Sequence, residues 1–249
     1  MSKKLFSFGE FIYRNSFPLY FILYSFYKKI SDKKEMELFK KIIKPGDIIL
    51  DIGANIGLYS SYFSRLCGKT GAVHSFEPDV TNFKNLKKVT SDLSNVSINH
   101  VAVSDSNKPL KIYTSHRLNV DHRTYPVDTY STSYEVPATS IDAYVQNKYK
   151  VNIIKIDIQG AEFPALTGMT ETLKANPSVI IFMEICPSAL RDFGVEIKTI
   201  FDFLHGLGFF VYDYSLNKIT TAATSKYAQY ADDAFENVII AKEIPFGLK

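Results

Sequence analysis

The run Asp51-Ile52-Gly53-Ala54-Asn55-Ile56-Gly57 sets an acid and two glycines between a short apolar segment and one of helical period. Glycines at such a junction let the backbone turn tightly and approach a ligand closely. A loop for a dinucleotide pyrophosphate would carry a further glycine in a G-x-G-x-x-G frame, whereas the middle position here is Asn55. Asp51 would also oppose the charge of a pyrophosphate and attract a cationic group instead. Glu77 follows Gly57 by twenty residues, the place where an acid closing a second strand accepts hydrogen bonds from ribose hydroxyls. S-adenosylmethionine is a nucleoside ligand with the cationic groups that such a pair of acids would suit.

These residues need a scaffold, and the sequence supplies one. From position 48 onward, apolar runs of strand length alternate with segments of helical period, the pattern of a parallel α/β sheet. Strands are expected at 48–52, 72–77, 96–103, 152–158, 179–184, 209–214 and 237–242, with helices at 57–67, 80–91, 161–175 and 196–207. Apart from Asp51 the first strand is apolar, as expected for a strand covered by helices on both faces. At about 108–139 the alternation breaks, and 110–114 and 130–136 read as extra strands around a polar stretch. Such an insertion over a ligand site is often a substrate lid. Residues 1–44 read as an aromatic and basic helical extension, and 45–249 as the body that carries the site.

With 249 residues, 46% hydrophobic and 22% charged, the chain matches one large globular domain, which excludes disordered, collagenous and coiled-coil classes. Cys67 and Cys186 allow at most one disulfide, so a reducing cytoplasm is the expected compartment. Residues 1–50 hold ten Lys/Arg against five Asp/Glu, a net +5, and the remaining 199 residues carry −2. A slightly acidic body argues against a nucleic-acid partner, which would need a broad basic face. Positions 11–27 include eight aromatics. Ser16 and Pro18 fit a helix start, and Phe17, Tyr20, Phe21 and Tyr24 share one helical face, so this helix is expected to pack on the body. The second expectation is peripheral membrane contact through residues 11–34, at the inner face of a membrane, since rings and lysines both suit a bilayer interface. The run is too short to span a bilayer, and no cleavage site of a secretory signal follows Ser2-Lys3-Lys4, so an uncleaved N-terminus is expected.

In combination, the motifs resemble the FkbM-type family of class I S-adenosylmethionine-dependent methyltransferases. The matching text is Leu50 through Gly57, then Phe76-Glu77-Pro78, Ala102-Val103-Ser104-Asp105, Ser140-Ile141-Asp142 and the run from Ile154 to Glu162, in order across about residues 45–215. The resemblance implies a Rossmann-like sheet of seven strands, mostly parallel with the last antiparallel, and helices on both faces. It implies that Gly53, Asn55 and Gly57, beside Asp51, shape the cofactor loop. Glu77, next to Pro78, would hold the ribose, and backbone around Val101 and Ala102 would meet the adenine. Asp157 would face the methionine end of the cofactor and the reaction centre. The family transfers methyl groups to oxygen, often on sugars or hydroxylated natural products. One position departs: Gln159 stands where the family usually carries Glu.

Methyl transfer to a hydroxyl is an in-line displacement at a sulfonium, in which alignment alone supplies several kcal/mol. A neutral alcohol is a poor nucleophile and benefits from a base within hydrogen-bond reach. His122, in Asp121-His122-Arg123 of the insertion, is the candidate base, with an ordinary surface imidazole as the plain alternative. Arg123 could bind an acidic group of the substrate or pair with Asp121 or Asp128. Asp157 is the second candidate base, although a cationic cofactor would keep its basicity weak. His74 and His100 read as structural, and Glu162 as a residue that complements a helix dipole. Asp142, Asp157 and Glu184 could gather a magnesium ion, but no metal-ligand motif supports this and no metal is expected.

The expected function is thus S-adenosylmethionine-dependent O-methylation of a saccharide hydroxyl, in a glycan or glycolipid. Two other classes stay open. An NAD-dependent oxidoreductase shares the sheet and the ribose acid but lacks the further loop glycine, and a non-enzymatic glycan-binding protein could use the same fold.

Overall fold

The computed structural model describes residues 11–13, 15–115, 130–230 and 234–244. The chain divides into two compact units, Met1–Lys41 and Ile42–Lys249.

In the first unit, α1 (Phe17–Ser31) has Pro18 in its first turn and Lys28 and Lys29 at its carbonyl pole, each placed where a helix end favours it. Lys28 pairs with Asp32 at 2.6 Å, and α2 (Lys33–Ile42) follows directly. The aromatic and basic stretch is thus two helices parted at Asp32. Tyr20 stacks on Tyr24 at 5.5 Å and meets Tyr13 edge-on at 4.9 Å. Along another side of α1, Leu19, Ile22, Leu23, Phe26 and Ile30 are 46–65% exposed.

The strands of the second unit are β1 (Ile48–Ile52), β2 (Ala72–Phe76), β3 (Val96–Asn99), β4 (Ala102–Val103), β5 (Leu110–Ser115) and β6 (Tyr130–Val136). They continue with β7 (Ala138–Thr139), β8 (Ile153–Ile156), β9 (Ile180–Ile185), β10 (Phe210–Tyr212), β11 (Lys218–Ile219) and β12 (Glu236–Ala241). Helices α3 (Leu58–Cys67), α4 (Val80–Val89), α5 (Ile141–Val145), α6 (Glu162–Thr167), α7 (Thr170–Ala175), α8 (Pro187–Phe193) and α9 (Ile197–Gly206) connect them.

Eight strands form the main sheet, in the order β11-β10-β12-β9-β8-β1-β2-β3. β3, β2, β1, β8 and β9 are parallel neighbours, and β12 enters antiparallel between β9 and β10. The strand beyond the expected seven is β11. It pairs with β10 because Asp213 Oδ1 accepts the N–H groups of Ser215 and Asn217 at 2.7 and 2.9 Å and reverses the chain.

Two expected elements are split. The strand expected at 96–103 leaves the sheet at His100, whose ring stacks on Phe83 at 4.6 Å and whose Nε2 donates to the Pro78 carbonyl at 3.0 Å. β4 then pairs with β7 outside the main sheet. The helix expected at 161–175 is broken at Gly168, where a Cβ would lie 2.0 Å from the Ser104 carbonyl oxygen. Asp142 restarts it, accepting the N–H groups of Glu171 and Thr172 at 3.0 and 2.7 Å.

Leu50, Ile52, Ile154, Ile156, Ile181 and Met183 belong to one buried cluster at the centre of the sheet. From β1 the chain passes to β2 and β3 on one side, while β8 and β9 lie on the other. The strand order reverses beside β1, and open α/β sheets bind ligands at the carboxyl ends of such strands.

Candidate active site

The loop after β1 is held in left-handed turns, with φ of 80° at Gly53, 51° at Asn55 and 88° at Gly57. A Cβ on Gly53 would lie 2.0 Å from the Asp157 carbonyl oxygen, so glycine is what allows the ends of β1 and β8 to close on each other. Asn55 accounts for the glycine that a dinucleotide loop would have had. Asparagine tolerates the left-handed region, and its Oδ1 accepts the Ile56 N–H at 2.7 Å.

Asp51 is fully buried. Its Oδ2 accepts the Ser60 hydroxyl at 2.6 Å, and Ser60 Oγ accepts the Ser75 hydroxyl at 2.9 Å. Oδ1 makes no hydrogen bond. Burial pushes this carboxyl up from the usual range, opposed by the Lys155 ammonium. A buried acceptor in that state is costly unless a donor or cation reaches it, and an ammonium or hydroxyl of a bound ligand would do so.

Glu77 is only 5% exposed. Its Oε2 accepts the Asn55 N–H at 2.7 Å and its Oε1 accepts the Asp79 N–H at 2.9 Å. Burial pushes it up to about 8, against the lowering effect of those two donors. With its proton held, one oxygen keeps a lone pair and the other an O–H to offer to ribose hydroxyls. The Ala102 N–H is already bonded to the Pro137 carbonyl at 2.9 Å, which leaves partly exposed Val101 as the neighbour open to an adenine. Two buried acids beside a loop of left-handed turns suit the cationic and ribose groups of S-adenosylmethionine.

Across the crevice, β8 and β9 end in a connected set of side chains. Lys155, 5% exposed, pairs with Asp157 Oδ2 at 3.0 Å and lies over the Tyr59 ring at 4.8 Å. Gln159 Nε2 donates to Glu184 Oε1 at 2.8 Å and reaches Asp157 Oδ1 at 3.3 Å. Glu162 is 1% exposed, and its Oε1 accepts the Gly160 N–H at 3.0 Å. Burial pushes Glu162 up to about 7. A carboxyl buried in this way braces the 157–162 loop, a role beyond the helix-dipole effect expected for it.

The sequence does not single out Lys155, offers Glu184 only as a weak magnesium ligand, and gives Gln159 no site role. Strand-end position was the signal available for Lys155 and Glu184. For Gln159 it was the departure itself: an amide where an acid was expected, between two carboxylates.

His122 and Arg123 lie outside the described residues. The hairpin that leads to them is anchored beside the cofactor loop, where Tyr134 donates to Asp79 Oδ2 at 2.6 Å. His74 bonds the Tyr144 hydroxyl at 2.9 Å and stacks on Tyr149 at 4.9 Å, a packing role. Among the described residues, no group of three or more His, Cys, Asp or Glu is placed to hold a metal ion. Asp142 is occupied in capping α7.

The sheet and its crevice are those of a class I S-adenosylmethionine-dependent methyltransferase. The protein of solved structure assigned as an rRNA-methylase from Clostridium thermocellum shares the fold, with a TM-score of 0.51, 15% identity, and 84% of this chain and 93% of that one covered. The model of the methyltransferase FkbM domain matches residues 51–211, and the chain belongs to that family, for which S-adenosylmethionine is the methyl donor. The hexuronic acid methyltransferase AglP of Haloferax volcanii is 26% identical over 148 residues, 54% of this chain and 55% of that protein. The ribosomal RNA large subunit methyltransferase E of Bdellovibrio bacteriovorus is 32% identical over 63 residues, 24% of this chain and 32% of that protein. The chain thus spans about half the length of the first curated relative and about a third of the second.

Proposed function

We propose that the protein is an S-adenosylmethionine-dependent O-methyltransferase acting on a sugar hydroxyl, in a glycan or glycolipid. The observation that carries the cofactor half is Asp51 Oδ1, a buried acceptor without a partner beside the Gly53–Gly57 loop. When bound, the cofactor supplies an electrophilic methyl group on a sulfonium. Gly53, Asn55 and Gly57 shape the loop, Glu77 bonds the ribose hydroxyls, Pro78 and Val101 border the base, and Asp51 and Asp157 attract the cationic end.

A sugar acceptor is supported by the hexuronic acid relative. From the insertion, Arg123 is proposed to meet an acidic group of the sugar, and His122 to stand near the acceptor.

Calorimetry with S-adenosylhomocysteine, beside NAD and the Glu77→Ala variant, tests the cofactor half. Micromolar binding lost on that substitution is expected. Preference for NAD would restore the oxidoreductase reading, and methyl transfer to RNA in place of sugars would overturn the acceptor.

The proposed partner of the first unit is an anionic membrane surface on the cytoplasmic side, where the free thiols Cys67 and Cys186 suit the compartment. The exposed Leu19, Ile22, Leu23, Phe26 and Ile30 supply the apolar stripe, and residues 1–41 hold nine Lys/Arg against four Asp/Glu. Among the described residues no helix is long and apolar enough to cross a membrane. The full chain is expected to float with phosphatidylglycerol liposomes and Phe26→Glu to stay behind. Equal flotation of the two would sink the idea.

A further inference from the structure

We propose that Glu184 takes the proton from the acceptor hydroxyl, and that Gln159 is the positioning residue that aims it. This rests on the sugar-methylation reading above. Glu184 stands at the carboxyl end of β9, next to β8, on the same edge of the sheet as Asp157. It reaches the crevice through a hydrogen bond with a residue 25 positions away.

The two carboxylates beside Gln159 are differently compensated. Asp157 has a cation on it, with Lys155 Nζ 3.0 Å from Oδ2, so part of its negative charge is offset. Glu184 receives a neutral amide on Oε1, and its side chain is only half-buried. An amide orients a carboxylate without drawing off its basicity as a contacting cation would. Gln159 is suited to this by its backbone as well. It stands at φ 51° and Gly160 at φ 104°, a left-handed pair that turns the chain back after β8, while Glu162 holds the Gly160 N–H.

The groups around Glu184 are Lys155 and Asp157 from β8, Gln159 from the turn, Glu162 from α6, and Asn237, its register partner on β12. Burial and then the Asp157 charge raise the proton affinity of Glu184, while Lys155 and the Gln159 amide lower it. The balance is upward, toward the working range of a general base. In the step itself, the sugar O–H gives its proton to Glu184 Oε2 as the oxygen lone pair forms the new O–C bond to the methyl group. The carbon–sulfur bond breaks with its electron pair going to sulfur, so a sulfonium becomes a neutral thioether and Glu184 is left protonated.

Two readouts test this on the full chain. The first is carboxyl carbon NMR of the free protein, with the Glu184 signal assigned by its loss in Glu184→Gln. Its midpoint is expected well above the ordinary glutamate value of about 4.3, and higher still in Gln159→Ala, because the lost amide favoured the ionised form. A midpoint in the ordinary range overturns the proposal.

The second is transfer of labelled methyl to the methyl glycosides of glucuronic acid, galacturonic acid, glucose and N-acetylglucosamine. Glu184→Gln is expected to lower kcat by about 10²- to 10³-fold while S-adenosylhomocysteine affinity stays within about twofold, which shows that the site is intact. In Gln159→Ala the rising limb of the kcat–pH profile should move to higher pH, a shift that a merely structural role would not cause. An unchanged kcat in Glu184→Gln overturns the proposal and leaves methyl transfer standing. A wild type that binds S-adenosylhomocysteine but methylates none of these sugars removes the sugar reading, and this proposal with it.

Discussion

The two sides of the crevice are built from different materials. On the side of β1 and β2, the shape comes from backbone: three left-handed residues at 53, 55 and 57, and Glu77 accepting two main-chain N–H groups. On the side of β8 and β9, side chains hold one another, with Lys155 on Asp157 and Gln159 on Glu184. A backbone cradle admits few residue types and recognises the part of a ligand that does not change. A side-chain network tolerates substitution and can be adjusted to an acceptor. The first side is therefore the one that fixes the shape of the loop, and the second is the one whose side chains can be changed around Gln159.

Gly53→Ala is the hardest blow to the backbone side. Its Cβ would meet the Asp157 carbonyl oxygen at 2.0 Å, and the residue sits at φ 80°, so β1 and β8 must part at their ends. A loss of at least about 3 kcal/mol is expected in urea unfolding, together with loss of S-adenosylhomocysteine binding. A variant with wild-type stability and affinity would show that the close approach is not what shapes the loop, and the contrast between the two sides would fail.

What the sequence made legible follows the same line. Asp51, the loop glycines and Glu77 announce themselves because glycine and a strand-end acid are local signals, and β1 was read with the bounds it has, Ile48–Ile52. The break of the 161–175 helix was not legible. Gly168 is required there only because Ser104 passes against it, a contact 64 positions away. Glu162 misled for a related reason: its place in a first helical turn is visible in the sequence, while its burial depends on packing from other elements. Gln159 and Glu184 lie 25 residues apart, and no period or spacing rule links an amide in a turn to an acid on the neighbouring strand. Asn55 is the intermediate case. It reads as a missing glycine in one frame, and as a residue able to replace glycine once the left-handed backbone is known.

The pH dependence of stability separates the two sides more gently. Glu77 is pushed from an ordinary 4.5 up to about 8 by burial. Between these values the folded chain holds a proton that the unfolded chain has released, so stability falls as pH rises through the window. Glu77→Gln should flatten that fall by at most about 1.4 kcal/mol per pH unit, read from melting temperatures between about pH 5 and pH 8. Glu162 and Glu184 are also raised and should leave a residual slope. An unchanged slope in the variant would mean that Glu77 is ionised throughout, with its two N–H donors outweighing its burial.

The smallest effect is expected where the β5–β6 hairpin meets the backbone side. Tyr134, on β6, donates to Asp79 Oδ2 at 2.6 Å, and Asp79 also caps α4 through the N–H groups of Thr81 and Asn82 at 2.9 and 2.7 Å. Tyr134→Phe removes the hydroxyl while the cap remains, so the expected stability loss is about 1 kcal/mol. The Asp79 N–H bonds Glu77 as well, which makes this hydroxyl a link between the hairpin and the cofactor acid. If the hairpin serves the acceptor, the variant raises the acceptor KM a few-fold, on the order of what one hydrogen bond contributes, and leaves S-adenosylhomocysteine affinity in place. An equal fall in both affinities would show that the hairpin stiffens the Glu77 loop instead, and that the backbone side is not fixed independently of it.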